Sequence, residues 1–251
     1  MKLYDIYSDN NIDNYFNKNS KMKDKFYEKY KTNDNFRIFL KDKYYEPKFD
    51  GKVAIVGNGG SVLNNEFGSL IDSHDHIVRF NYAQVNGYEN HIGNNTTLRV
   101  VGGKALQGTD SEEIRQTYPG FKSDIYINVK ENVFVFTTTY LKGLDGFTKY
   151  SFDNGITFLD LDKILPKIKS FTGVNNPTSG FIFLMFVYFQ KRFDSISLFG
   201  FDFFMDNKSR HYFEDVRRRT MKPGYSGSHG IQEEMIFCKE LAKETNINLY
   251  R

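Results

Sequence analysis

Cys238 is the only cysteine in this 251-residue chain, which excludes any disulfide within it and fits a reducing compartment. Long apolar runs are missing as well. No window approaches the ~18 uninterrupted apolar residues of a membrane-spanning helix, and the first residues lack the apolar core of a signal peptide. The richest stretch, Phe181 to Phe189, is about half a span in length and reads as a core helix. Neither sign of charge is in excess: 34 Lys and Arg face 31 Asp and Glu, a net +3, too little to argue for a nucleic-acid partner. No glycine precedes Gly51, and there is no internal repeat or low-complexity tract. These absences lead to the expectation of a cytoplasmic protein without a transmembrane segment. Its body would be one domain, residues 51–251, preceded by a polar and aromatic arm, residues 1–50.

What is present begins at Val53. Four apolar residues, Val53 to Val56, suit a short buried strand. Gly57-Asn58-Gly59-Gly60 follows, then Leu63, Phe67 and Leu70 at helical spacing. Strand, glycine turn and helix together can aim backbone N–H groups at an anion. The dinucleotide fingerprint wants a further glycine where Val62 stands, so a nicotinamide enzyme fits poorly. Downstream, strands are expected at 76–80, 97–101, 124–129, 133–137, 156–159, 195–201 and 247–250. Helices are expected at 110–118, 178–193 and 229–244. Alternating strands and helices imply an α/β protein with a mostly parallel, doubly wound sheet, and ligands at the carboxyl ends of its strands.

Several residues carry candidate chemistry. Asn58 and Asn81 fall at the carboxyl ends of predicted strands, where an amide can pair with a phosphate, ribose or base edge, or simply serve a turn. Asp72-Ser73-His74-Asp75-His76 has metal-binding residue types, but two histidines two apart on an entering strand face opposite ways. Asp160-Leu161-Asp162 matches the short pattern with which some glycosyltransferases hold a divalent ion. It also reads as a helix N-terminus ahead of Ile164 and Leu165. Thr178 and Ser179 open a hydrophobic helix, where hydroxyls either cap the helix or receive a carboxylate. His229 sits at a loop–helix junction, off the apolar stripe of Ile231, Met235, Cys238 and Leu241, and histidine is the side chain that exchanges a proton near neutrality. That stripe makes Cys238 a buried thiol and Glu234 a structural hydrogen-bond acceptor. Arg217, Arg218 and Arg219 read either as a solvated loop or as an attractor of anions.

Taken in order, these segments resemble the motifs of family 29 glycosyltransferases, the sialyltransferases best known from the vertebrate Golgi. GNGG, Ile71 to Asp75, Val78 to Asn81, Gly87 to Glu89 and Ile92-Gly93 resemble the large sialyl motif. Asn176 to Gly180 with the following helix and strand (SISLFGF) resembles the small one. His211 to Glu214 resembles the third, and His229 with Glu234 the last.

The resemblance implies a GT-A-like Rossmann variant and an inverting transfer of sialic acid from CMP-sialic acid to a glycan hydroxyl, without a metal or other cofactor. His229 would be the general base and His211 would act on the donor phosphate. Asn58, Gly59, Asn81, Thr178, Ser179, Gly180 and Gly200 would bind the donor. Its partners would be that nucleotide sugar and an oligosaccharide, glycolipid or glycoprotein acceptor, not a nucleic acid. Another CMP-activated ulosonic acid such as Kdo fits the same motifs, and a non-catalytic CMP-sugar binding protein is the rival of another class. The Golgi relatives join their large and small motifs by a disulfide. Here Val53 stands near the first cysteine position and 191–193 offer no second, so packing is expected to hold the contact.

Overall fold

The computed structural model describes residues 48–81, 83–102, 132–137, 156–203, 211–213, 229–244 and 246–251. Among these, seven strands form one sheet: β1 (Gly51–Val56), β2 (His76–Phe80), β3 (Leu98–Gly102), β4 (Asn132–Thr137), β5 (Ile156–Asp160), β6 (Phe193–Phe199) and β7 (Ile247–Tyr250). Their order across the sheet is β5-β4-β3-β2-β1-β6-β7, and every pairing is parallel. From β1 the chain steps outward through β2 to β5 and then returns to the other side of β1. The sheet therefore changes winding direction between β1 and β6, the place where open α/β sheets bind their ligands.

Parallel sheets are covered on both faces, so their strands read as unbroken apolar runs, and the alternation here sorts those runs. Val53, Ile55, Val78, Phe80, Ile196 and Leu198 enter one core with the hydrophobic helix. Ala54, Val56, Ile77 and Phe199 enter a second core on the opposite face, with Val62, Ile71, Ile92, Tyr212 and Phe213. The hydrophobic helix is α4 (Ser179–Gln190), and every residue from Phe181 to Tyr188 is buried. A helix apolar on all sides has to be enclosed. Here it packs with α3 (Leu161–Thr172) and shares its core with residues of α5 (Ile231–Leu241). Val53 is fully buried opposite Ile196, so packing and strand pairing join the two segments, as expected for a chain with one cysteine. Cys238 is itself fully buried, and burial pushes its thiol pKa well above the ordinary value, a hydrophobic rather than reactive placement.

One expected element takes another form. The segment after the glycine turn is not a single helix spanning Leu63, Phe67 and Leu70. It is a 3₁₀ helix, Gly60–Asn64, an extended break at Asn65, and a short α1 (Gly68–Asp72). A Cβ at Gly68 would stand 2.7 Å from the Asn90 carbonyl oxygen at the neighbouring α2 (Glu89–Ile92). That close approach sets where α1 begins, and helical periodicity yields to it.

The helix expected at 110–118, the strand at 124–129 and most of the 1–50 arm lie outside the described residues. The last of the arm is anchored. Phe49 is buried edge-on against Phe183 and His76, and Asp50 pairs with Arg192 at 2.8 Å. No described helix is long and apolar enough to cross a membrane.

Candidate active site

The glycine turn after β1 is zipped to the chain leaving β6. Gly57 N–H donates to the Phe199 carbonyl at 2.7 Å and Gly59 N–H to the Gly200 carbonyl at 3.0 Å. The next alternate N–H, that of Ser61, donates to the Asp202 carboxylate at 2.8 Å, and the Ser61 hydroxyl bonds the other carboxylate oxygen. The glycines permit this contact: a Cβ at Gly57 would stand 2.7 Å from the Gly200 oxygen, and one at Gly59 would stand 2.5 Å from it. The sequence suggested a turn offering its N–H groups to an anion. Three of them instead face β6, and a carboxylate of the protein meets the start of the 3₁₀ helix.

On its other side the turn presents Asn58 to β2. Its amide Nδ2 donates to the Phe80 carbonyl at 3.3 Å, which fixes the amide orientation. The buried Oδ1 is left with no hydrogen-bond partner, an arrangement that calls for a donor from a ligand or a water. Asn81, one residue past Phe80, takes a left-handed backbone with φ of 45°, a conformation asparagine tolerates better than most residues. Its N–H donates to Val100 and its carbonyl accepts from Arg99 Nη1. His211 is brought to the same place by its neighbour. Tyr212 N–H donates to the Asn58 carbonyl at 2.8 Å, and the Tyr212 hydroxyl bonds the Gln84 carbonyl. Burial raises the Tyr212 pKa far above that of a free phenol, an effect Arg79 and Arg99 partly offset. The His211 ring stacks on Phe213, with centroids 5.3 Å apart and planes 9° apart.

The N-terminus of α4 lies against the chain leaving β6. Gly180 lies under the Phe201 ring, which a Cβ would approach to 3.2 Å. Thr178 caps the helix by accepting from Phe181 N–H at 3.3 Å. Thr178 is itself held from α5: its N–H and hydroxyl donate to the two oxygens of Glu234 at 2.5 and 2.8 Å. Glu234 is 2 % exposed and is thus the structural acceptor anticipated. Ser179 is half-buried as the first residue of the helix.

His229 Nδ1 lies 2.9 Å from the Asn176 carbonyl. A carbonyl only accepts, so Nδ1 carries a proton in this contact and Nε2 is the nitrogen that can exchange one. Gly230 allows this approach, since a Cβ there would stand 2.7 Å from the Asn175 carbonyl oxygen. Through chain neighbours and single contacts the candidate positions form a series: Asn58 bonds Phe80 beside Asn81, Tyr212 beside His211 bonds Asn58, and the turn bonds Gly200. From there Phe201 leads to Gly180, and Thr178 and Asn176 lead to Glu234 and His229.

Burial raises the Glu234 carboxyl to about 7, with Glu233 adding to the rise and the Thr178 hydrogen bonds opposing it. An acid whose folded pKa exceeds its unfolded value stabilises the fold fully below the unfolded pKa, ~4.5, and that contribution is lost as pH rises to the folded one. Glu234→Gln keeps an acceptor for the Thr178 N–H and removes the titration. Relative to this variant, the wild type should lose about 3 kcal/mol between pH 4.5 and 7 and remain level above. Paired denaturant titrations across that range check the slope, and parallel curves would contradict it.

The histidines of the 72–76 segment turn to separate partners. His74 bonds the Leu70 carbonyl and Ser197 Oγ at 2.9 Å each, and His76 bonds the Asp50 carbonyl at 2.9 Å. Asp160 ends β5 and Leu161 begins α3, so the Asp160–Asp162 pattern spans a strand–helix junction. Glu214 and Arg217 to Arg219 lie outside the described residues. A polar cavity of about 230 Å³ between α1 and α2, lined by Glu66, Ser69, Asp72 and Glu89 among others, shares no residue with the set above. Sequence reasoning missed Asp202, and it gave no role to Tyr212 or to the buried Arg79, both inside quoted motifs. Arg79 Nη2 reaches the carbonyls of Ile92, Gly93 and Asn95, while its Nε donates to Thr96, so one guanidinium fixes the turn after α2.

Comparison with known proteins adds the following. Residues 7–246 match the family model described as glycosyltransferase family 29 (sialyltransferase). The chain is 30% identical over 220 residues to the human CMP-N-acetylneuraminate-beta-1,4-galactoside alpha-2,3-sialyltransferase, covering 76% of this chain and 55% of the relative. It is 45% identical over 56 residues to the Gallus gallus beta-galactoside alpha-2,6-sialyltransferase 2, covering 22% and 11%. The chain thus spans about half the length of the first of these relatives. Among solved structures it is similar to a mammalian sialyltransferase in complex with Gal-beta-1-3GalNAc-ortho-nitrophenol. The TM-score is 0.56 at 17% identity, over 80% of this chain and 69% of that one. The fold is the GT-A-like arrangement expected.

Proposed function

The chain belongs to glycosyltransferase family 29, and from that premise we propose that it transfers sialic acid from CMP-sialic acid to a hydroxyl of a glycan acceptor, with inversion and without a metal. The observation that carries the reading is the His229–Asn176 hydrogen bond, which orients the ring so that Nε2 is the nitrogen to take a proton. The acceptor oxygen forms a bond to the anomeric carbon as the bond from that carbon to the CMP phosphate oxygen breaks. The acceptor proton passes to His229 Nε2, and the electron pair of the broken bond leaves with CMP as phosphate charge. His211 and Asn81 oppose that growing charge. Asn58, whose buried Oδ1 has no hydrogen-bond partner among the described residues, meets the cytidine portion. Thr178, Ser179 and Gly180 position the sugar. Thr178 does so as the cap that shapes the helix end, since its own hydrogen-bonding groups are committed to Glu234 and Phe181.

A donor with one esterified phosphate asks little of a divalent ion, and the Asp160–Asp162 pattern is read as a helix start. Purified protein should release CMP from CMP-sialic acid in the presence of a glycan acceptor panel, and more slowly or not at all from CMP-Kdo run in parallel. The initial rate should be unchanged by chelator and by added magnesium or manganese. Preference for CMP-Kdo would reassign the donor. Tight CMP binding with no turnover would make the chain a nucleotide-sugar sensor, and loss on chelation with recovery on readdition would make the aspartates metal ligands.

A further inference from the structure

We propose that Asp202 is a positioning residue for nucleotide binding: its carboxylate is the last rung of the zip that holds the glycine turn and so places Asn58. The inference rests on the donor assignment above and extends it to a residue outside the sialyl motifs quoted. The rungs run in register. Gly57 bonds Phe199 and Gly59 bonds Gly200, backbone to backbone. Past Gly200, whose φ is 65°, no main-chain carbonyl of the described residues continues the ladder to the Ser61 N–H. The Asp202 side chain supplies the missing acceptor, taking both the N–H and the hydroxyl of Ser61. Ser61 is buried at 4 % exposure, so an unmet N–H and hydroxyl there would carry a desolvation cost.

The geometry also says why this reaches the nucleotide. Asn58 lies between the second rung and the first, and its side chain and carbonyl are aimed the opposite way, at Phe80 and Tyr212. Fastening the β6 side of the turn leaves Asn58 one orientation toward β2. Unfastening Ser61 lets the turn pivot about Gly59 and Gly60, and both the Oδ1 acceptor and the seat of the His211 segment move with it. The carboxylate has a second effect. It places negative charge at the start of the 3₁₀ helix, so the donor phosphate is directed to the His211 and Asn81 side instead.

The test is calorimetric titration with CMP, alongside amide hydrogen exchange of residues 57–62, on wild type, Asp202→Ala, Asp202→Asn and Ser61→Ala. Asparagine keeps an oxygen to accept from the Ser61 N–H, and its amide N–H donates to the Ser61 hydroxyl oxygen. Asp202→Ala should weaken CMP binding at least tenfold and speed exchange across 57–62. Asp202→Asn should stay within about threefold of wild type in affinity, and Ser61→Ala should fall between them. A merely structural carboxylate would lower melting temperature in all three variants without this ranking. If Asp202→Ala is folded and binds CMP as tightly as wild type, or if Asp202→Asn fails as badly as Ala, the proposal is wrong. Should Asp202→Ala not fold, the Asn and Ser61→Ala pair decides the same question. Wild-type protein that ignores CMP would overturn the donor assignment, and the exchange ranking would still judge the positioning role by itself.

Discussion

His229→Ala should reduce sialic acid transfer ~100-fold or more, the range in which a general base operates, while CMP affinity stays within about twofold of wild type. The separation follows from where the residue sits. Its Nδ1 is spent on the Asn176 carbonyl, and the groups assigned to the nucleotide are on the turn after β1 and the end of β2. Removing the imidazole therefore takes away the proton acceptor and leaves the nucleotide seat intact. Acceptor-free hydrolysis of the donor should fall far less than transfer, since water at high concentration needs less help than a sugar hydroxyl held in one pose. Single-turnover transfer, hydrolysis and CMP titration on the same preparation separate these outcomes. Transfer by the alanine variant at near wild-type rate would end the proposed mechanism.

His211→Ala should behave differently: transfer and donor hydrolysis fall together, by ~100-fold, the scale on which one group opposing transition-state charge is felt. Both reactions break the same bond to the CMP phosphate, so a group acting on that phosphate serves both. The ring is fixed by stacking on Phe213, and the segment by the Tyr212–Asn58 hydrogen bond. Loss of the imidazole should then leave the backbone where it was, with Asn58 undisturbed. A variant that loses transfer but keeps hydrolysis would move His211 to the acceptor side of the site.

Much of this arrangement is legible in the residues. The β-branched and apolar run Val53 to Val56 names its strand because a parallel sheet is covered on both faces, whereas His76 to Phe80 reads as a strand despite the buried Arg79 within it. The all-apolar run from Phe181 names its helix because a segment of that kind must be enclosed. Legibility fails where a distant contact decides local structure. Leu63, Phe67 and Leu70 have helical spacing, yet Asp202 pulls Ser61 to one side and Gly68 must meet the backbone at Asn90. The helix is divided accordingly. Asp202 itself is one acidic residue among 31 Asp and Glu, and nothing around it announces a partner 141 residues earlier. Tyr212 is similarly silent, because its value lies in one backbone N–H that reaches Asn58. Glu234 and His229 were readable as a pair, but not the fact that both grip the 176–178 segment, since that depends on how α5 lies against α4.

The place of β1 between β2 and β6 has a consequence for the chain as it leaves the ribosome. β2 follows β1 closely and can pair with it soon after synthesis, whereas Ser61 and Asp202 are 141 residues apart. At ~5–20 residues per second, translation of that interval takes on the order of ten seconds. For that time β1, the first strand among the described residues, keeps one backbone edge unpaired, the kind of edge that recruits other chains. Pairings this distant in sequence also form slowly once available. β1, which carries the glycine turn, therefore waits long for its second neighbour, and the turn stays unzipped until β6 and Asp202 have emerged.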